Sequence, residues 1–134
     1  PMTLKAWIGR ATLVSAVLLF PNLPTIAADS LSLPITVLQG LNKVTARVER
    51  IEVRVGQTVS FGALDITVRA CRKSPPEDPP ERAAFLEIQE IKPDEGKSRL
   101  FSGWMFASSP ALSALENPVY DVWVLDCKAE PGGQ

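Results

Sequence analysis

Two stretches decide the fold of this chain: Leu64–Cys71, which reads LDITVRAC, and Val119–Cys127, which reads VYDVWVLDC. In the first stretch, apolar side chains at every second position from Leu64 to Ala70 alternate with mostly polar ones. This period of two predicts a half-buried β-strand with one face toward a core. The second stretch is rich in valine and aromatic residues, and it is predicted to be the last strand.

The neighbouring sequence indicates further short strands. From Lys43 onward apolar and polar residues alternate, but the apolar parity changes between Val48 and Ile51, which predicts a β-bulge near Arg50. Residues 83–91, AAFLEIQEI, fit either a strand or a short helix. A turn at residues 93–96, PDEG, and a returning strand at 99–106 favour a hairpin.

Together these elements predict an all-β fold with one short helix, a compact antiparallel sandwich or barrel of six to seven short strands. The helix is expected to begin at Ser109-Pro110, a capping residue followed by proline. A single β domain is assigned to residues 43–127, preceded by an extended lead-in at 29–42 and followed by a loose tail at 128–134. The proline-rich loop at residues 74–81, SPPEDPPE, is predicted to be a solvated connector; recognition by a proline-binding groove is the alternative.

Residues 1–28 have the pattern of a secretory signal peptide. Lys5 and Arg10 precede an apolar run of about ten residues, Ala11–Phe20, which is followed by prolines and the small residues Ala27 and Ala28. The run is too short for a permanent membrane anchor. We expect cleavage after Ala28 or Ala27 and a soluble periplasmic product; a buried N-terminal helix is the alternative. Loss of Lys5 and Arg10 changes the net charge from −1 to −3, which does not favour binding to nucleic acid.

The chain contains two cysteines, Cys71 and Cys127, both after the predicted signal. Cysteines of exported domains usually pair, and a disulfide closing so long a loop is worth about 4 kcal/mol in the chain-entropy model. A catalytic thiol is the alternative. It is disfavoured because the chain has no histidine to activate the sulfur and no Cys-x-x-Cys spacing.

Strand parity then predicts one exposed surface. Cys71 shares a face with Arg69, and Cys127 shares a face with Trp123 and Asp121. If the disulfide joined two neighbouring strands of one sheet, Trp123 would lie outward, close to Arg69. We therefore select as candidate interaction surface Trp123, Arg69, Asp121 and Tyr120. Trp123 could form a cation–π pair with Arg69, anchor a partner or stack on a sugar, unless the short helix or the proline loop covers it. The other tryptophan of the domain, Trp104, is expected in the core.

Several chemistries are excluded or disfavoured by the residue content. The absence of histidine removes Ser-His-Asp catalysis and histidine metal sites, and there is no glycine-rich phosphate loop. We predict no catalytic, cofactor-binding or metal-binding residues. The remaining enzymatic possibilities are a carboxylate pair formed by Asp121 with Asp126 or Glu87, and a serine–lysine pair, Ser108 or Ser109 with Lys43 or Lys97, that the spacing does not support.

The run from Phe101 to Cys127, FSGWMFASSPALSALENPVYDVWVLDC, resembles a family of alphaproteobacterial exported proteins catalogued as domain of unknown function 2155. The run from Lys43 to Lys73, KVTARVERIEVRVGQTVSFGALDITVRACRK, resembles it as well, and GWMFASSP at residues 103–110 is the most specific part. Many members have Glu-His-Pro where this chain has Glu116-Asn117-Pro118, a change that preserves turn chemistry. The resemblance implies export and supplies no catalytic residues.

The sequence therefore favours a non-enzymatic protein-interaction or structural module of the cell envelope. A glycan-binding module that uses Trp123 and Tyr120 is the alternative function. The expected partner is accordingly an envelope protein or a glycan, with no nucleic acid and no stable membrane insertion.

Overall fold

The computed structural model describes residues 30–131, together with residues 15, 16 and 18. Within this part the chain is all-β and forms eight strands, rather than the six or seven predicted. They are β1 (Leu31–Ser32), β2 (Ile35–Asn42), β3 (Arg47–Arg54), β4 (Thr58–Phe61), β5 (Leu64–Lys73), β6 (Arg82–Lys92), β7 (Gly96–Phe106) and β8 (Tyr120–Lys128). The stretch at 83–91 is thus a strand, and it forms the predicted hairpin with β7.

The strands form two antiparallel sheets that pack as a sandwich, which decides between the two predicted architectures. In the five-stranded sheet, β5 pairs with β6 and β6 with β7, while β1 and β4 both pair with β5. In the three-stranded sheet, β2 lies between β3 and β8. The core fills the space between the sheets with aliphatic side chains, among them Leu38, Leu64, Ile66, Leu86, Ile88 and Val124.

The prediction that residues 29–42 form a lead-in outside the domain is wrong, because these residues contain β1 and the central strand β2. Residues 35–38 of β2 are buried one after another, without the alternation used to recognise strands. A strand with a neighbour on each side and both faces covered shows this continuous pattern. The domain therefore begins before residue 43. At the other end Lys128 still belongs to β8, and Glu130 forms an ion pair with Arg54, so the tail begins later than predicted.

The predicted bulge near Arg50 is absent, since β3 pairs with β2 in one continuous register. The apolar residues of β3 change parity because Val48 faces outward, where it is 54% exposed, whereas Val53 points into the core. Bulges occur instead between Val68 and Ala70 in β5, where β8 passes Val37 and Leu38 of β2, and where β7 passes Ile88 and Gln89 of β6.

Hydrogen bonds close the connection between β5 and β6. The proline-rich loop joins β5 to β6, and Ser74 closes it with bonds to Glu81 and to the carbonyl of Pro79. The predicted short helix is a single 3-10 turn, Pro110–Leu112, and Ser109 provides no side-chain cap. Within the described residues, no helix has the length and apolar character needed to cross a bilayer. The predicted signal at 1–28 lies outside the described residues except for positions 15, 16 and 18.

Cys71 and Cys127 are joined in a disulfide, with their Cα atoms 5.7 Å apart. The predicted arrangement as neighbours in one sheet is wrong, because Cys71 belongs to the five-stranded sheet and Cys127 to the three-stranded one. The bulges in β5 and β8 each lie just before a cysteine and reverse the parity of the residues after them. Both sulfurs therefore point into the core, at 2% and 0% exposure for the two residues, and they link the two layers.

Candidate functional site

Trp123 lies on β8 between Val122 and Val124, whose side chains are buried in the core. Because side chains alternate along a strand, Trp123 points to the outer side of the three-stranded sheet, where it is half-buried. Trp123 thus faces outward, although the disulfide arrangement on which that expectation depended is not the one found.

Trp123 contributes to a shallow cleft with a volume of about 300 Å³. One wall is the edge of β8, with Asp121, Val122 and Trp123, and the other is the segment after β7, with Pro110, Ala114 and Leu115. The 3-10 turn thus flanks the tryptophan without closing over it. Among the described residues that line the cleft, Asp121 is the only charged one, and the others are mainly apolar.

Asp121 is held in place by Lys43. The Nζ atom of Lys43 lies 3.1 Å from a carboxylate oxygen of Asp121 and donates a hydrogen bond to the carbonyl of Asn117. Both charged side chains are about two-fifths exposed, so the pair contributes little to stability. Its effect is to fix the position of one carboxylate beside the cleft.

Tyr120 is not available as the second aromatic platform that the sequence suggested. Its hydroxyl oxygen accepts a hydrogen bond from the backbone N–H of Ala63, 3.1 Å away. Its ring packs edge-on against Phe61, with the centroids 5.7 Å apart. Tyr120 therefore ties β8 to the turn between β4 and β5, and this role is structural.

Arg69 is not close to Trp123, so the predicted surface of four residues is not a single surface. Arg69 is the extra residue of the bulge in β5, and its Nη2 lies 3.1 Å from a carboxylate oxygen of Glu87 on β6. Both belong to the five-stranded sheet, whereas Trp123 belongs to the other layer. The cation–π pair suggested for Arg69 and Trp123 is therefore not formed. Of the four predicted residues, only Asp121 and Trp123 line the cleft together.

A second aromatic surface was missed by the sequence reasoning. Trp104 pairs with Phe85 across the β6–β7 hairpin, and their rings meet edge to face with centroids 5.6 Å apart. Since Met105 points into the core, Trp104 faces outward and is half-buried, contrary to the expected core position. Ala84 and Leu86, on either side of Phe85, point into the core. Because side chains alternate along a strand, this pattern would have placed Phe85, and Trp104 opposite it, on the outer face.

The carboxylates considered for catalysis are not assembled into one site. Asp121 binds Lys43, Glu87 binds Arg69, and Asp126 binds both Arg82 and Lys73. Asp121 and Asp126 pair with positions of β2 that are four residues apart, about 13 Å along a strand, beyond the range of glycosidase carboxylates. Ser108 is hydrogen-bonded to Glu81. In the part of the chain described here, no group of histidine, cysteine or carboxylate side chains has the geometry of a metal site.

The fold and the cleft define a class: a disulfide-linked β-sandwich with an apolar cleft at a sheet edge. The chain belongs to the family described as "Uncharacterized protein conserved in bacteria (DUF2155)", whose model matches residues 36–127. It is 37% identical over 87 residues to the uncharacterized protein RP359 of Rickettsia prowazekii (strain Madrid E), a match covering 65% of this chain. The match spans about half of that relative, 56% of its length. No solved structure matches the chain.

Proposed function

We propose that this chain is an exported, periplasmic interaction module of the cell envelope that binds a partner at the Trp123 cleft without catalysing a reaction. The observation that carries the proposal is the position of Trp123, half-buried in the wall of an open and mainly apolar cleft. Tryptophan in such a setting is typical of residues that dominate a binding energy, because a large rigid side chain can become fully desolvated when the partner docks.

Two independent features support the proposed location. Residues 1–28 have the charge, apolar run and small residues of a secretory signal. The Cys71–Cys127 disulfide is of the kind that persists in an oxidising compartment such as the bacterial periplasm. The non-catalytic role is supported by the dispersal of the candidate carboxylates among separate ion pairs.

The test compares two tryptophans on different sheets. The full chain, tagged after Gln134, is captured from cells after crosslinking, alongside Trp123→Ala and the matched control Trp104→Ala. We expect a stoichiometric envelope protein whose recovery falls at least tenfold with Trp123→Ala and changes little with Trp104→Ala. Thermal unfolding of both variants shows whether the captured material is folded.

Three results would contradict the proposed site or partner. Equal recovery with both variants would remove the cleft from consideration. If only Trp104→Ala lost the partner, the binding site would lie on the aromatic surface of the five-stranded sheet. If only polysaccharide is recovered, and cell-wall fragments quench the fluorescence of Trp123, the partner is a glycan.

A further inference from the structure

The outer face of the three-stranded sheet carries a row of side chains that crosses all three strands. Gln39 of β2 pairs with Trp123 of β8 on one side and with Arg50 of β3 on the other. All three point outward, because Leu38 and Val124 at the adjacent positions point into the core and residues paired across strands share a face. With strands about 4.8 Å apart, the row extends about 10 Å from the cleft across the sheet.

Arg50 differs from the other charged residues of β3. Those four are held in ion pairs: Arg47 with Glu49, Glu52 with Lys128, and Arg54 with Glu130. Arg50 is exposed, and within residues 30–131 no carboxylate lies close enough to form an ion pair with it. Because the neighbouring charges neutralise one another, the guanidinium of Arg50 gives this part of the face a local positive charge.

Apolar side chains lie beside this row on the same face. Leu41 pairs with Val48 across β2 and β3, and both point outward, with Leu41 half-buried and Val48 54% exposed. A partner that covers these side chains also excludes water from the guanidinium of Arg50, which strengthens its attraction for a negative charge. Tryptophan and arginine are, in addition, the residue types that often dominate the binding energy of an interface.

We propose that the partner protein binds across this row with an acidic segment, which places an apolar side chain in the Trp123 cleft and a carboxylate on Arg50. This inference rests on the proposed function and specifies the chemistry of the partner. The guanidinium presents parallel N–H groups that match the two oxygens of a carboxylate. A protein segment fits better than an acidic glycan, because the cleft wall opposite Trp123 is formed by Pro110, Ala114 and Leu115.

The experiment uses selected peptides as probes of the Arg50 contact. Random dodecapeptides displayed on phage are selected on the full chain, expressed for export and purified as the cell processes it. We expect the selected peptides to carry an aspartate or glutamate near an apolar residue, and to bind Arg50→Glu at least tenfold more weakly than the wild type. Replacing the acidic residue of the peptide by lysine should restore binding to Arg50→Glu, which also shows that this variant is folded.

Arg54→Glu is the matched control. Arg54 lies on the same strand and the same face as Arg50, but it is paired with Glu130. We expect this change to alter peptide binding less than twofold. Equal losses with Arg54→Glu and Arg50→Glu would show that the peptides respond to the overall charge of the protein, and the assignment of the carboxylate to Arg50 would be wrong.

The outcomes separate this inference from the proposed function. If Trp123→Ala abolishes peptide binding but Arg50→Glu does not weaken it, or the lysine peptide does not restore it, the cleft binds a partner and the acidic contact is wrong. If no peptide that requires Trp123 is selected, the inference is wrong, whereas the proposed function stands if capture of the envelope protein depends on Trp123. If fragments of polygalacturonate bind and both variants abolish that binding, the occupant is an acidic glycan and the inference is overturned.

Discussion

The ring of Phe61 lies directly against Gly40: a Cβ added at Gly40 would be 2.8 Å from two carbons of the ring. Phe61 ends β4 and Gly40 lies in β2, so this contact joins the two sheets. Replacing Gly40 by alanine should force the ring aside and lower the free energy of unfolding by about 1–3 kcal/mol. Urea unfolding followed by tryptophan fluorescence measures the change.

Gly103→Ala is the matched control, because a Cβ there would lie 3.6 Å from the nearest ring carbon, an ordinary contact. We expect it to be near neutral. The interpretation also requires that Phe61→Leu recover part of the stability lost in Gly40→Ala. If Gly40→Ala were as stable as the wild type, the Phe61 ring would not be packed against Gly40.

Removing the disulfide should weaken the sandwich substantially. The bond closes a loop of 56 positions, so the double variant Cys71→Ser, Cys127→Ser should lose about 4 kcal/mol. Denaturant unfolding of the oxidised and reduced chains, together with circular dichroism, measures the loss and checks that the strands persist. Unchanged stability after reduction would contradict a role for the bond in linking the layers.

Tyr120→Phe should reduce stability without affecting ligand binding. The change removes the acceptor for the Ala63 N–H, a partly buried donor, at a cost of about 1 kcal/mol. Equilibrium unfolding and the capture of the envelope partner are measured with the same variant. Lost binding with unchanged stability would instead make Tyr120 a ligand residue.

Asp126→Asn should have a small effect that depends on salt. One carboxylate oxygen of Asp126 lies 3.1 Å from Arg82 Nε and 3.4 Å from Lys73 Nζ, at the end of the sandwich near Cys127. The group is about one-third exposed, so we expect a loss of about 0.5–1 kcal/mol that shrinks in 1 M salt. A loss that is independent of salt would contradict the ion-pair explanation, because asparagine keeps an oxygen that can accept the bond from the Cys127 N–H.

The sequence predicted the elements whose pattern is local. Leu64, Ile66 and Val68 alternate along a strand with one buried face, and the β6–β7 hairpin follows from turn chemistry. The central strand β2 was missed because both of its faces are covered, which removes the alternation from its first half. A strand is therefore recognised from its own sequence when one of its faces is buried and the other is not, as in β5, and is missed when both faces are covered, as in β2.

The candidate site was predicted only in part, because parity cannot be carried across a bulge. Arg69 is an extra residue in the pairing of β5, and Leu125 is one in the pairing of β8. Each looks like an ordinary position in the sequence, since bulges are defined by the partner strand. Trp123 lies before its bulge and was placed correctly, whereas Cys71 and Cys127 lie after theirs and were assigned to the wrong face.

The order of the strands along the chain has a consequence for biosynthesis. β8 is the last of the described strands to be made, yet it completes the three-stranded sheet and supplies Cys127 and one wall of the cleft. A chain that emerges from its N-terminal end can form the β2–β3 and β5–β6–β7 pairings early, but it cannot close its core or its disulfide until β8 has emerged. Emergence of β8 is therefore the step that allows the paired strands to close into the sandwich.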